Sequence, residues 1–412
     1  MRRLKNCRVC RRATRMELMM DLGTQYLSGI FPAPGEDVEK GPLQLVRCDS
    51  CGLIQLGHEP DLGMLYGPTY GYRSGLNQSM VTHLREKVHK LIVRANVTGN
   101  DVVMDIGSSD GTLLKAWHDV RPGICTVGFD PQAEKFKEHY HKDTLAFSQF
   151  FDAETYVGEV GVKAKVITAV AMFYDLENPV DFLRQMAACL MPDGIIHMEF
   201  AYLGTMINRG SFDTICHEHL EYYGLNQIQQ IAKEAGLLIK ELWFNDVNGG
   251  SVEVDLVHRG EQDDSLDIVW KCKNEDLVIT DKEWDKFKLH CYETRAAINR
   301  FLAEVDQREV AILGASTKGN VLLQFCGVTK DDVHAAVDVN EEKWGKVTPG
   351  TNIPIISEEE ARENKYQYYL VLPWHFRAGI IAREEEFLNR GGKLIFPLPE
   401  FEIVTKNHEA QT

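Results

Sequence analysis

Val102-Val103-Met104-Asp105-Ile106-Gly107-Ser108-Ser109-Asp110-Gly111 is an apolar run that ends in an acid, followed by two glycines with three residues between them. The helix-favouring Thr112-Leu113-Leu114-Lys115-Ala116-Trp117 comes next, so the stretch reads as strand, tight turn and helix. Such a turn is a nucleotide site. Gly107 permits the sharp change of direction, and Gly111 lets a ligand approach the helix start at the carboxyl end of a first parallel strand. The dinucleotide fingerprint needs glycine where this chain has Ser109, which leaves less room for a pyrophosphate than for a single adenosyl group. Asp130 closes the next apolar run about 20 residues downstream, the usual offset of a ribose-binding carboxylate.

The flanking sequence supplies the rest of a doubly wound sheet. Strands are predicted at 102–106, 126–129, 166–170, 195–200, 237–244 and 252–258, with helices between most of them. The last two are joined by Asn245-Asp246-Val247-Asn248-Gly249-Gly250, a turn-rich connector that predicts an antiparallel pair. Ligands of open sheets bind beyond the carboxyl ends of the strands, which places Asp105, Asp130, Met172, Phe173, Tyr174, Asp175, Glu199 and Tyr202 near one crevice. Helical spacing of Met80, Leu84, Val88, Leu91 and Ile92 precedes the first strand. Before that helix, the loop from Tyr66 to Gly75 reads either as a flap over the ligand, with Tyr72 facing it, or as a linker with packing tyrosines.

At the start of the chain, Cys7-x-x-Cys10 and Cys48-x-x-Cys51 are two thiolate pairs separated by a loop containing Pro32, Pro34, Gly35 and Pro42. Together they offer the four corners of a closed, structural zinc site, and the rival reading as a redox dithiol lacks the strand and helix context it needs. A segment this short buries little core, so metal is expected to help it fold.

Phe212-Asp213-Thr214-Ile215-Cys216-His217-Glu218-His219-Leu220-Glu221-Tyr222-Tyr223 concentrates proton-transfer groups as no other stretch does. His217 and His219 share a face if the segment is extended, and Glu218 points the other way. Zinc enzymes use His-Glu-x-x-His on a helix, which this is not, so a catalytic role is favoured over a metal site. Beyond a polar crossing at 261–285 and a long helical pattern from Trp284 to Leu302, a second strand, turn and helix begins at Val310. In Gly314-Ala315-Ser316-Thr317-Lys318-Gly319-Asn320 the lysine precedes the glycine, so this is not an ATP phosphate loop; backbone amides and one ammonium remain, enough for a diphosphate. With runs at 368–372 and 394–397 this makes a small second α/β domain, read as a substrate domain or as an inert dimerisation unit.

At 412 residues the chain exceeds one comfortable core, and its net charge of -16 excludes a broad nucleic-acid surface. No run approaches a membrane span and no apolar segment follows the Arg-rich start, so a cytoplasmic protein with reduced thiols is expected.

Taken in order, the paired cysteines, the Asp-x-Gly-x-x-x-Gly turn, the His-Glu-His stretch, Gly249-Gly250-Ser251, Lys318-Gly319-Asn320 and Val371-Leu372-Pro373-Trp374-His375-Phe376 resemble the nucleotide-sugar C-methyltransferases that make branched deoxysugars. The resemblance covers nearly the whole chain. It implies an α/β protein with a zinc-binding N-terminal module (1–75), a class I methyltransferase Rossmann-like core binding S-adenosylmethionine (76–260) and a bridging helix with a C-terminal α/β domain that helps hold the nucleotide sugar (261–412). The implied activity is methylation of a 4-keto-6-deoxy sugar at C-3 by a monomer, through an enolate. By position in the family motif His219 is the expected base, Glu218 orients loop or substrate, and His217 is the second candidate. Tyr72, Asp105, Gly107, Asp110, Gly111, Asp130 and Phe173 are expected around the cofactor. Glu199, Tyr202, Tyr222, Lys318, Asn320, Trp374 and His375 are expected around the sugar nucleotide, with Lys318 facing the diphosphate. Cys7, Cys10, Cys48 and Cys51 are the expected zinc ligands. Two positions depart from the family: Cys216 stands in place of a tyrosine and Asp175 in place of a histidine. The rival functions are methyl transfer to oxygen or nitrogen, a nicotinamide-dependent oxidoreductase, and a binding protein without turnover.

Overall fold

The computed structural model describes residues 1–66, 72–260, 264–275 and 279–406. Its centre is a seven-stranded sheet in the order Leu237–Asn245, Ser251–His258, Leu190–Ala201, Ala164–Val170, Val102–Ile106, Cys125–Phe129, Thr144–Phe147. The strand at 251–258 runs antiparallel to both neighbours and the other pairings are parallel. This is the class I methyltransferase order, in which the first strand sits between the second and the fourth and opens a crevice at their carboxyl ends. All five residues of Val102–Ile106 are buried, as befits a strand covered by helices on both faces. One covering helix is Gln78–Arg94, started by the Asn77 side chain accepting from Ser79 N and presenting Met80, Leu84, Val88 and Leu91 inward.

The edge strand Thr144–Phe147 escaped the sequence reading because its Leu145 and Ala146 are exposed and its apolar signal is short. A helix, Leu266–Glu275, stands inside the stretch expected to be a polar crossing; Ile268 and Cys272 give it a buried face.

The segment between the cysteine pairs is an antiparallel ladder rather than a loop. Met16–Tyr26 pairs with Lys40–Cys48, which pairs with Ile54–Leu56. The prolines and Gly35 lie in its turn or, for Pro42, on one strand. The fourth strand of this sheet, Glu221–Tyr222, pairs with Ile54–Leu56 from far along the chain, one residue after the His-Glu-His stretch, a non-local pairing that only the tertiary fold supplies.

The C-terminal sheet runs Ile355–Ile356, Ala335–Val337, Val310–Leu313, Tyr368–Val371, Lys393–Phe396, Glu402–Val404, parallel except for the last strand. The helix Asp281–Ala303 buries Trp284, Phe287, Cys291, Ile298, Phe301 and Leu302 in a core shared with this sheet and with residues 203–222. Among the described residues no helix is long and apolar enough to cross a membrane.

Candidate active site

A cleft of about 360 Å³ opens at the carboxyl ends of the first, second and fourth strands. It is lined by Asp105, Gly107, Ser109, Asp130 and Gln132, by the rings of Phe129, Phe136, Phe150 and Phe151, and by Tyr72, Ser74, Met172 and Asp175. Gly107 has φ +74°, and a Cβ there would lie 3.0 Å from Met172 Cγ, so only glycine makes this turn without strain. Asp130 accepts from Ser109 N at 2.8 Å and Gln132 N at 2.7 Å, which fastens the second strand's end to the glycine turn. Burial pushes the Asp105 carboxyl up to about 7, against a hydrogen bond from Thr168 Oγ1 at 2.6 Å that favours its charged form. Ser109 Oγ and Asp175 Oδ1 are buried with no hydrogen-bond partner among the described residues. A cleft lined by flat aromatic faces, with unpaired polar atoms on its wall, fits S-adenosylmethionine.

Six of the residues expected in this crevice, Asp110, Gly111, Phe173, Tyr174, Glu199 and Tyr202, do not line it. Phe173 is fully buried against Phe182, Phe200 and Tyr223, because it faces the core where its neighbour Met172 faces the cleft. Asp110 accepts from Gly75 N and Thr112 Oγ1, bracing the segment that leads into the first helix, and Gly111 (φ +74°) packs beneath the Tyr140 ring. Glu199 is directed under the helix Gln78–Arg94, where it meets Lys87 Nζ at 2.6 Å and His83 Nε2 at 2.8 Å. Tyr202, expected near the sugar, donates instead to Glu275 Oε1 and packs on Phe244. Residues 67–71 of the tyrosine-rich loop lie outside the described residues; Tyr72 does reach the cleft wall.

The His-Glu-His stretch is irregular, and its three residues part company. His219 Nδ1 lies 2.8 Å from the Thr214 carbonyl oxygen, which can only accept, so the proton sits on Nδ1 and the lone pair on Nε2. Nε2 has no hydrogen bond among the described residues, and the ring rests on Tyr174 with centroids 4.2 Å apart. Burial, followed by the charge of Lys318, holds this imidazole down to about 3. Glu218 turns to the N-terminal module, accepting from Gly29 N at 2.9 Å and Ser28 Oγ at 3.4 Å. His217 is buried on the opposite side, against the backbone of Gly41 and Pro42. Tyr222 is buried with its hydroxyl 3.4 Å from the Thr214 carbonyl.

Around His219 the second sheet contributes its own crevice. Val310–Leu313 and Tyr368–Val371 are neighbours at the point where the strand order reverses, and beyond their carboxyl ends come Lys318 and the Trp374–His375 pair. Trp374 Nε1 donates to Asp213 Oδ2 at 2.8 Å. Asp213 Oδ1 and His375 Nδ1 are left without partners among the described residues. Lys318 Nζ donates to the carbonyl of Asn248, itself on the wall of the cofactor cleft, so the two crevices share a boundary. Asn320 does not reach this space: its amide donates to Ser28 O at 2.7 Å. Asp213 and Asn248 went unassigned in the sequence because each stands among stronger signals, an aromatic turn and a pair of glycines. Asp338, at the carboxyl end of the strand where a dinucleotide ribose would bind, is closed off by Lys343, which bonds Asp338 Oδ2 at 3.0 Å and the Ala315 carbonyl at 2.7 Å.

The four cysteines of the N-terminal module converge. Cys7 and Cys51 sulfurs are 3.5 Å apart, Cys10 and Cys48 sulfurs 3.7 Å, and all four lie within 4.8 Å of one another. A tetrahedron of thiolates at zinc bond lengths has edges of about 3.8 Å. The donor set therefore fits one structural zinc with no open position.

Family models match three consecutive parts of the chain: a "Putative zinc binding domain" at residues 7–66, a methyltransferase domain at 79–242 and a C-methyltransferase C-terminal domain at 246–399. Among curated proteins, C-methyltransferase NovU of Streptomyces niveus is 29% identical over 416 residues, covering 98% of this chain and 98% of its own. Among solved structures, an S-adenosylmethionine-dependent methyltransferase from Clostridium acetobutylicum is 10% identical with a TM-score of 0.34, covering 43% of this chain and 91% of that one. The plantazolicin methyltransferase BpumL in complex with SAH is 12% identical with a TM-score of 0.35, covering 43% and 82%. These structural likenesses are too slight to bear weight; the strand order and the three successive family matches carry the assignment. The chain thus joins, in succession, a zinc binding domain whose four cysteines fit one metal, an S-adenosylmethionine-dependent class I methyltransferase domain and a C-methyltransferase C-terminal domain, and over 98% of its length it is similar to a C-methyltransferase.

Proposed function

We propose that the protein methylates a carbon beside the ketone of a nucleotide-linked 4-keto-6-deoxy sugar, at C-3, with segments 1–75, 76–260 and 261–412 as its zinc, cofactor and sugar-nucleotide parts. The observation that carries this reading is His219: an imidazole whose tautomer is set by Thr214 and which feels the charge of Lys318, itself bonded to Asn248 on the wall of the cofactor cleft. S-adenosylmethionine, when bound, supplies an electrophilic methyl group. A carbon beside a ketone becomes a nucleophile only when its proton is removed, and His219 Nε2 is the unprotonated base positioned to take it. Tyr174 fixes the ring face and Thr214 its orientation, so the lone pair is aimed before substrate arrives. Glu218 acts at a distance from the substrate, anchoring the segment through Ser28 and Gly29. Nicotinamide chemistry at the second sheet is disfavoured by the Lys343–Asp338 pair that fills the ribose position.

The test is mass spectrometry of the pure protein with S-adenosylmethionine and a panel of 4-keto-6-deoxy sugars on dTDP, GDP and CDP, in deuterated buffer. The reading expects one methyl gained at carbon and, with S-adenosylmethionine left out, deuterium at the same carbon. Methyl gain at oxygen or nitrogen with no carbon-bound deuterium would overturn it in favour of O- or N-transfer.

A further inference from the structure

Lys318 is placed where charge has to be met. It lies in the first turn of the helix Thr317–Cys326, and its ammonium spends one N–H on the Asn248 carbonyl at 2.8 Å. No other hydrogen bond of this ammonium is found among the described residues, so two donors remain for a ligand. The groups that feel its charge are Asp213, His219 and His375, which come from two different parts of the chain and close on one space. Two buried atoms of this group, Asp213 Oδ1 and His375 Nδ1, have no hydrogen-bond partner among the described residues, and His219 is held through Nδ1, which leaves its Nε2 for a ligand.

A diphosphate is a poor occupant here. It would bring two or more negative charges against Asp213, whose ionisation burial already disfavours, and one ammonium that already donates to a backbone carbonyl offers little to offset them. A ketone flanked by a hydroxyl suits the same atoms better, since it offers acceptors to the ammonium and a donor to Asp213. Base and cation are also neighbours, since the Lys318 charge acts on His219.

We propose, on the basis of the carbon-methylation reading above, that Lys318 is a catalytic residue that holds the substrate's carbonyl oxygen and stabilises its enolate, while the diphosphate binds elsewhere. In this step the C–H bond breaks and its proton goes to His219 Nε2. The C–H electron pair becomes the carbon–carbon double bond as the carbonyl pair moves onto oxygen, beside the Lys318 ammonium. When the carbon takes the methyl group, the oxygen pair re-forms the carbonyl and the double-bond pair becomes the new carbon–carbon bond; the methyl donor's carbon–sulfur pair stays on sulfur, which departs as a neutral thioether, and the proton leaves His219 to solvent. No oxidant or reductant is needed.

The experiment compares wild type with Lys318→Met and Lys318→Gln. It measures deuterium exchange into a 4-keto-6-deoxy sugar on dTDP without S-adenosylmethionine, and calorimetric binding of dTDP. Retained calorimetric affinity for S-adenosylmethionine shows which variants are folded. The expected result is exchange slowed about 10²–10³-fold, as for loss of one oxyanion donor, with dTDP affinity within about twofold of wild type. The acid limb of exchange should also move to higher pH, because His219 loses the positive neighbour that holds it down. Binding of dTDP weakened tenfold or more, with exchange at saturating sugar unchanged, would overturn the proposal and return Lys318 to the diphosphate. Wild type that shows no exchange with any sugar of the panel would instead sink the carbon-methylation reading itself, and with it this one.

Discussion

Replacing Lys87 with methionine tests how the cofactor cleft is held open. Lys87 is 1% exposed and its ammonium lies 2.6 Å from Glu199 and 2.9 Å from Glu253, which are themselves buried on two adjacent strands. Burial alone would raise Glu199; the His83 hydrogen bond and the Lys87 charge reverse this and hold it at about 2. That depression from the ordinary carboxylate value is worth about 3 kcal/mol from the two partners together. Without Lys87, Glu199 keeps His83 and Glu253 keeps Asn245, but two carboxylates then face each other unneutralised. Stranding charge in this way costs about 3–5 kcal/mol, and the retained partners put Lys87→Met near the lower end. In calorimetry of the full chain the transition of the methyltransferase part should fall by roughly 6–12 °C at pH 7. The sign with pH is fixed. A depressed carboxylate stabilises the fold fully above its unfolded value and loses this as pH falls towards its folded one, so the deficit of the variant should shrink as pH falls from about 4.5 towards about 2. Adding Glu253→Gln should recover part of the loss. Affinity for S-adenosylmethionine should fall as well, because the helix that carries Lys87 also carries Met80 and Leu84 on the cleft wall. A variant within 1 °C of wild type, or a deficit that grows in acid, would refute the argument.

Exchange catalysed by His219 should stay flat from pH 7.5 to 5.5, since its imidazole sits at about 3, whereas a histidine near 6.5 would lose roughly tenfold over that range; a fall of that size would show that the base is another group. Gly107→Ala puts a Cβ at φ +74° and 3.0 Å from Met172, and should weaken S-adenosylmethionine by about 1–2 kcal/mol, roughly tenfold in calorimetry; unchanged affinity would mean that the turn does not shape the cleft. Elemental analysis should find one zinc per chain, lost in Cys48→Ser. Chelation should raise hydrogen exchange at residues 28–29 and 216–222 as well as among the cysteines, because Gly29 bonds Glu218 and Glu221–Tyr222 completes the module's sheet; exchange confined to 7–51 would argue against that coupling.

These couplings explain why a zinc module belongs to this enzyme at all. The segment 211–223 has almost no regular structure of its own, one short helical turn and a two-residue strand. Backbone without its own ladder must find partners elsewhere. Leu220 N and Glu221 N both donate to the Tyr174 carbonyl, Leu56 N donates to the Leu220 carbonyl, and Arg8 Nη1 bonds the Leu56 carbonyl at 2.9 Å. The N-terminal turn adds Gly29 and Ser28 on Glu218, while Asn320 and Gln324 of the C-terminal domain bond the backbone at Ser28 and Tyr26. His219, the proposed base, is thus carried on a segment tied to all three sheets, and the four cysteines that would hold zinc belong to the sheet that supplies the outermost of these ties.

The same reasoning shows which parts of the site a sequence can reveal. The glycine turn, Asp130 and the cysteine pairs are local patterns, where spacing along the chain already is spacing in space, and they were legible. Phe173, Glu199 and Tyr202 were misplaced for one physical reason: the carboxyl end of a strand locates a residue, but the side chain alternates between cleft and core, or lies under a covering helix, according to packing that the period of two does not disclose. His217 and Glu218 show the limit most clearly. An extended segment would put the two histidines on one face, yet the chain there is tied at Thr214, Tyr174, Gly29 and Gly41 to four different elements, and each tie turns the next side chain a different way. The Lys318, Asp213 and His375 cluster has no local signature, since its members are over 50 residues apart and meet only because the reversal points of two parallel sheets face one another across Asn248. A catalytic centre assembled between two switch points has to be found in the fold.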